Sequence, residues 1–386
     1  MNIYPSLVSE IRKYRIACLN CRKPYPEIGS PYRCSCGGLF DYQDPLLFDP
    51  QAVNHEYPGI WRFAPLFGLP PSSPIITLGE GNTPLVWVKN RGTGDSEQTI
   101  GLKCEYQNPT GSFKDRGSPI ILSLLISRGA RRVVEDSSGN AGASFAAYAG
   151  RAGLEAKVYV PETASGAKRK QIEAYGAKLI QVPGARSKAA ELVRGEVDTF
   201  SVKNKWVYAS HAYLPFNIPG YATLAFELAE QSKEGIGTII VPVGQGGLIL
   251  GLARGFEAIQ QSGLIKRFPH LVGVQAQACA PLWALLNYGA AGLNWTTEGE
   301  TIAEGIRIRY PLRGDQIISL IENKQGRIVV VSEEEILVAH AELAKRGFLV
   351  EYTSAVVWAA LDKIPASIPT PIIAILTGSG LKSLPE

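Results

Sequence analysis

The sequence predicts an α/β protein with mostly parallel sheets, and two observations carry that prediction. From about Thr99 onward, short runs rich in β-branched residues alternate with amphipathic stretches of helical length. Several of those runs also end in glycine- or serine-rich turns of the kind that open a helix. Near-continuous apolar strands between helices are the pattern of sheets covered on both faces.

The predicted strands are, in order, TIGLKCEY, RRVVEDS, AKVYVP, AKLIQVPG, KWVYAS, TIIVPVG, LVGVQAQ, RIVVVS and PIIAILTG. Each is a short buried run bounded by turn-forming or polar residues. Among the intervening stretches, GAKRKQIEAYG and RSKAAELVRGEVDTF read as amphipathic helices. Residues Pro45 to Ser73, rich in proline and aromatics, read as a linker or wrap between a cysteine-bearing segment and the main body. No internal repeat or low-complexity tract is evident.

At 386 residues, 45% hydrophobic and 19% charged, the chain is long enough for two cores and a small appendage. Its 39 basic and 35 acidic residues leave a formal charge of +4, dispersed and without a basic run carrying interleaved aromatics. That excludes the electrostatic signature of a nucleic-acid binder. The first twenty residues mix charges into every apolar stretch, and the longest apolar run, SPIILSLLIS, is too short to span a bilayer. A cytoplasmic protein with no membrane partner is the expectation.

Three strand-end turns are where an open α/β sheet collects ligands: DSSGNAGAS, VPVGQGGLILG and LTGSG. In the second, Gly244, Gln245, Gly246, Gly247 and Leu248 lead into a helix, so glycine backbone and unpaired N–H groups suit a phosphate; the same turn also serves plain packing. It is neither a P-loop nor a G-x-G-x-x-G turn. In the first, the N–H groups of Ser137, Ser138 and Gly139 suit a substrate carboxylate, and the Asn140 amide suits a phenolic oxygen, unless Asn140 is an ordinary helix cap. In the third, Thr377 ends a hydrophobic strand, which alone reads as a simple turn.

The stretch NPTGSFKDRGS, Asn108 to Ser118, places Lys114 just past a turn. A helix start with Ser112 as cap and Asp115 near the positive end of the dipole accounts for every residue but the lysine. An isolated lysine with two anion-binding turns, a side-chain amide and a strand-end hydroxyl matches what pyridoxal phosphate requires: an amine, a phosphate cradle, and partners for the phenolate and the ring nitrogen.

Four of the six cysteines crowd into Cys18, Cys21, Cys34 and Cys36, while Cys104 and Cys279 stand alone. Four thiolates on two tight turns suit tetrahedral structural zinc, which is preferred over unmetallated thiols although the second turn is one residue short of C-x2-C. A catalytic metal is disfavoured because four thiolates close the coordination shell. His55, His211, His270 and His340 occur singly, and His211 follows a predicted strand end, where it would line a cleft or fill a structural role.

NPTGSFKDRG, SSGNAGAS, GEGNTPL at Gly79 to Leu85, VPVGQGG and LTGSGLK together resemble the threonine synthases among the fold-type II, tryptophan synthase β-like pyridoxal-phosphate enzymes. The similarity covers nearly the whole chain. The segment ending in CSCGGLFDY is like the N-terminal ribbon of many such proteins. The resemblance implies Lys114 as the Schiff-base lysine, Asn140 as the partner of the phenolic oxygen, Gly244 to Leu248 as the phosphate loop and Thr377 as the partner of the pyridine nitrogen. It implies a homodimer acting on a small amino-acid substrate, converting O-phosphohomoserine and water to threonine and phosphate. It further implies a larger cofactor-binding domain over 45–117 and 217–386, a smaller α/β domain over 118–216 and a zinc-ribbon-like segment over 1–44.

The chain departs from the family in one stretch. Threonine synthases usually carry a segment like NPxRxxGxKT, whereas LPFNIPGYAT has Asn217 and Ala222 at the basic positions. Arg116, Lys168, Arg169, Arg307 and Arg309 are the substitute cations the sequence offers. The alternative is a β-replacing synthase, like cysteate or cysteine synthase, or a serine or threonine dehydratase.

Overall fold

The computed structural model describes residues 13–91, 97–162, 166–184, 186–199 and 206–382. The first twelve residues of the expected ribbon, and Phe200 and Lys205 at the ends of two predicted elements, lie outside that range. In chain order the first strands are β1 (Ile16–Cys18), β2 (Phe40–Tyr42), β3 (Leu85–Arg91) and β4 (Glu97–Lys103). Next come α1 (Ser118–Ser127), β5 (Arg132–Glu135), α2 (Asn140–Arg151), β6 (Glu155–Pro161), α3 (Gly166–Ala174), β7 (Lys178–Val182), α4 (Arg186–Thr199) and β8 (Val207–Tyr208). The remainder is α5 (Ile218–Gln231), β9 (Thr238–Pro242), α6 (Gly247–Gln261), β10 (His270–Ala276), α7 (Pro281–Gly292), α8 (Gly314–Asn323), β11 (Arg327–Val331), α9 (Glu333–Lys345), α10 (Tyr352–Ala359) and β12 (Ile372–Ile375). All nine predicted strands appear, as β4 to β12.

The chain divides into two units. The first comprises Met1–Gly81, Asn108–Thr110 and Lys114–Gly220; the second comprises Asn82–Gln107, Gly111–Phe113 and Tyr221–Glu386. The sequence places 45–117 in the larger domain, but residues 45–81 group with the smaller sheet. The reason is tertiary: Tyr148 of α2 donates to the buried Glu80 carboxylate at 2.8 Å, and Arg151 donates to the Thr77 carbonyl at 3.2 Å. The cysteine segment also joins this unit, where Arg128 donates to the Pro26 and Gly29 carbonyls at 2.8 Å each. The proline-rich wrap has its own apolar content, with Trp61 and Phe63 fully buried.

The first unit holds a four-stranded sheet in the order β7-β6-β5-β8, every pairing parallel. It also holds the antiparallel pair β1-β2. Because β5 and β8 are neighbours, with Val134 beside Tyr208, the turns at Ser137–Asn140 and at His211 leave the same end of the sheet.

The second unit holds a six-stranded sheet in the order β11-β10-β9-β12-β4-β3. Only β3 runs antiparallel, pairing Leu85 to Lys103 through Arg91 to Glu97. Strands β9 and β12 are parallel neighbours, with Ile240 beside Ala374. One strand spacing, about 4.8 Å, therefore separates the lines from which the Gly244 and Thr377 turns depart. Ile240, Val272, Val274, Ile372 and Ala374 are fully buried in a core completed by Val356 and Val357 of α10. Such two-faced burial explains their unbroken apolar runs.

Candidate active site

Lys114 lies in a short tight turn, Phe113–Arg116, rather than inside an α-helix. The helix start at Ser112, which left the lysine unexplained, does not form: α1 begins at Ser118, with Gly117 at its cap and Pro119 in its first turn. Asp115 is drawn away from any helix terminus, because it accepts the Thr110 N–H at 2.7 Å and the Thr110 hydroxyl at 2.6 Å. That buried carboxylate closes the NPTG loop onto the residue after Lys114, leaving the lysine half-buried. The same loop is held to GEGNTPL, since Asn108 Oδ1 accepts the Gly81 N–H at 2.9 Å.

The residues just before Lys114 belong to the second unit and are zipped to the third glycine-rich turn. Phe113 N–H donates to the Thr377 carbonyl at 3.0 Å and Ser379 N–H donates to the Gly111 carbonyl at 2.9 Å. Thr377 is buried, and its Oγ1 lies 3.1 Å from Ser354 Oγ on α10. Ser354 Oγ in turn accepts the Gly378 N–H at 2.8 Å. Thr377 is thus a fixed strand-end hydroxyl, as the chemistry of a ring-nitrogen partner needs. Nothing in the sequence singled out Ser354, which supports Thr377 from a distant helix.

After β9, the turn Gly244–Leu248 enters α6 through Gly246, whose φ of 91° is left-handed. A Cβ on Gly246 would fall 2.3 Å from Ile317 Cδ1, so both conformation and space demand glycine. The first turn of α6 carries no side-chain cap, which presents its N–H groups to an outside acceptor. Gln245 takes no part in that presentation through its side-chain oxygen, which accepts the Leu312 N–H at 3.0 Å. The donor set and the uncapped cradle fit the phosphate of pyridoxal phosphate.

In the first unit, α2 starts at Asn140 with Gly139 as its cap and no side-chain cap bond, so Asn140 is not the ordinary N-cap. The turn sits flat on its own helix: a Cβ on Gly142 would fall 1.8 Å from the Ser137 carbonyl oxygen. Ser137 Oγ accepts the Gly139 N–H at 3.3 Å. Beside this turn, burial drives the Glu135 pKa up to about 7 and the His211 pKa down to about 3, with the Lys114 charge lowering both.

The positions where the chain departs from the family are interior. Asn217 is buried and donates from Nδ2 to the His211 carbonyl at 2.7 Å. Ala222 is fully buried against α6, where a Cβ on Gly255 would meet its carbonyl at 2.6 Å. Of the substitute cations, Arg116 is fully buried, Arg307 donates to the Glu298 carbonyl at 3.0 Å, and Arg309 lies over the Tyr310 ring.

The four clustered cysteines converge: their sulfurs lie within 4.8 Å of one another, with Cys18 to Cys36 at 3.4 Å and Cys21 to Cys34 at 3.6 Å. Tetrahedral zinc with Zn–S bonds of about 2.3 Å spaces its sulfurs by about 3.8 Å, so the set fits that ion. The Cys36 backbone N–H holds the Cys34 thiol down at about 6, towards the thiolate a metal needs.

The family described as "Pyridoxal-phosphate dependent enzyme" matches residues 76–378. Threonine synthase from Methanocaldococcus jannaschii is 33% identical over 95% of this chain and 92% of its own, and that from Methanosarcina acetivorans is 32% identical over 91% and 87%. Among solved structures, a threonine deaminase from T.th. superposes with a TM-score of 0.60 at 25% identity, covering 73% of this chain and 87% of that one. The chain belongs to the pyridoxal-phosphate dependent enzymes and, within them, to the threonine synthase family.

Proposed function

We propose that the protein is a pyridoxal-phosphate-dependent lyase that converts O-phosphohomoserine and water to threonine and phosphate. The observation that carries this reading is the Lys114 turn itself, held by Asp115 on one side and preceded by the Gly111–Phe113 zipper to Thr377 on the other. Pyridoxal phosphate, when bound, supplies an aldehyde for the substrate amine and an electron-accepting ring.

The chain's own groups would do the rest. Lys114 anchors the cofactor and, once displaced by the substrate amine, moves protons at Cα and Cβ. The Gly244–Leu248 N–H groups take the cofactor phosphate, and the Asn140 amide takes its phenolic oxygen. Ser137, Ser138 and Gly139 take the substrate carboxylate. The Thr377 hydroxyl is a weaker partner for the ring nitrogen than a carboxylate, which suits elimination and replacement better than transamination.

A second reading is favoured by Asn217 and Ala222. Both are buried and committed to interior contacts, so neither position offers a cation to a phosphorylated side chain, where each charge-assisted contact is worth about 1.5–3 kcal/mol. On that reading the enzyme replaces or eliminates a β-substituent of serine, O-phosphoserine or threonine. Phosphate release from O-phosphohomoserine, measured against release from O-phosphoserine and keto-acid formation from serine and threonine, separates the two. Turnover of O-phosphohomoserine to threonine supports the first; its absence beside activity on a β-substituted substrate supports the second.

The cysteine cluster is read as structural zinc in a ribbon over 1–44. Among the described residues no helix is long and apolar enough to cross a membrane. A cytoplasmic homodimer acting on a small amino-acid substrate, without nucleic-acid or membrane partners, completes the proposal.

A further inference from the structure

One buried polar cluster in the first unit has no part in the proposed chemistry. Ser118 Oγ lies 3.3 Å from the Lys114 carbonyl oxygen, 3.0 Å from His211 Nε2 and 2.5 Å from Ser144 Oγ. Across the imidazole, His211 Nδ1 faces Glu135 Oε2 at 3.5 Å, and neither atom has a hydrogen-bond partner among the described residues. All four side chains are buried, at the start of α1, inside α2, at the end of β5 and just past β8. A carboxyl and an imidazole left facing each other in a protein interior are costly unless a proton is shared between them.

We propose that His211 is a positioning residue for Lys114, its two ring nitrogens coupling the protonation of Glu135 to the hydroxyl proton of Ser118 and so to the Lys114 carbonyl. This rests on the reading of Lys114 as the cofactor lysine for its consequence, though not for its existence.

The proton count gives two states. With Glu135 neutral, its O–H donates to Nδ1, and the ring carries its proton on Nε2, which donates to Ser118 Oγ. The Ser118 hydroxyl then donates to the Lys114 carbonyl and accepts from Ser144, so every polar atom is satisfied. With Glu135 ionised, the ring proton sits on Nδ1 and donates to the carboxylate, leaving Nε2 to accept from Ser118. The Lys114 carbonyl loses the Ser118 bond and keeps that from Gly117 N–H at 3.0 Å. The states differ by one proton: the Glu135–His211 pair holds two in the first and one, on Nδ1, in the second.

The electrostatics agree with this assignment. Burial raises Glu135 to about 7 while holding His211 neutral, down at about 3. The charged groups acting on the pair are Lys114, which favours the Glu135 carboxylate, and Asp136, which raises the His211 pKa; buried Tyr208 lies beside both carboxyls. The turn carrying Lys114 is therefore held by one more hydrogen bond below neutral pH than above it.

The test is nitrogen NMR on full-length holoenzyme labelled at histidine, with Glu135→Gln as comparison and His211→Gln to assign the signals. The wild type should exchange its pyridine-type and pyrrole-type His211 nitrogens as pH rises through about 7, without forming imidazolium. In Glu135→Gln the tautomer should be the same on both sides of that pH. A wild-type tautomer that never changes, or a change that persists in Glu135→Gln, overturns the relay. The cofactor's visible band, titrated in parallel, should show an inflection near 7 that Glu135→Gln removes. Absence of any visible band in the wild type sinks the Lys114 reading and leaves the tautomer result to decide the relay by itself.

Discussion

The backbone N–H of Phe113 donates to the carbonyl of Thr377 at 3.0 Å, one peptide bond before Lys114. That bond ties the end of β12 to the segment that delivers the lysine. Within the second unit, Phe113 and Thr377, more than 260 residues apart in sequence, are therefore held by a backbone bond rather than by side-chain contact alone.

Gly246, in the proposed phosphate cradle, is constrained by both conformation and space. Substitution Gly246→Ala forces a left-handed φ on a residue with a Cβ and drives that atom into Ile317. A stability loss of about 1–3 kcal/mol is expected by urea unfolding. Cofactor affinity should fall about tenfold or more, equivalent to roughly 1.4 kcal/mol; unchanged affinity by equilibrium dialysis would remove Gly246 from the cradle.

Glu80 is buried with its pKa raised to about 7, first by desolvation, while accepting bonds from Thr77, Leu78 and Tyr148. A raised native pKa means the native state holds the proton more tightly than the unfolded chain. The associated stability is full below about 4.5 and is lost as pH rises through about 7. Glu80→Gln keeps a neutral acceptor at all pH values, so it should match the wild type below about pH 4.5 and exceed it by roughly 1–3 kcal/mol in mild alkali. Parallel urea melts at the two pH values check the sign; a variant less stable than wild type in alkali contradicts it.

The cysteine cluster predicts one zinc per chain by elemental analysis. Chelation, or Cys34→Ser, should release it and lower the thermal midpoint by several degrees, since a structural site contributes directly to folding. A metal-free preparation with an unchanged midpoint after chelation would leave the thiols reduced and unmetallated.

Much of this was legible in the sequence, and the exceptions have physical causes. Strands β4 to β12 were readable because two-faced burial writes continuous β-branched runs such as TIIVP and IIAI. Strand β3, LVWVKNR, escaped because its short apolar start gives way to Lys89 and Arg91, and as an antiparallel edge strand it leaves Val86 and Trp87 exposed. Strands β1 and β2, three residues each, are too short for any period to show.

At the proposed site, Lys114 and the glycine turns stand out in the sequence by residue type alone. The alternative helix start at Ser112 does not form because Thr110 captures Asp115, a choice made by the loop's closure and invisible in local propensity. Residues 45–81 were assigned to the wrong partner sheet for a similar reason: the Glu80 to Tyr148 bond is tertiary. Glu135 and His211 meet only because β5 and β8 are adjacent, and strand order is not written in either strand.

The central claim is that Lys114 carries the cofactor, and one experiment meets it head-on: borohydride reduction of the reconstituted protein followed by peptide mass mapping. A single pyridoxyl adduct on the peptide containing Lys114, absent in Lys114→Ala, is the predicted result. An adduct on another lysine, or none on any peptide, would contradict it.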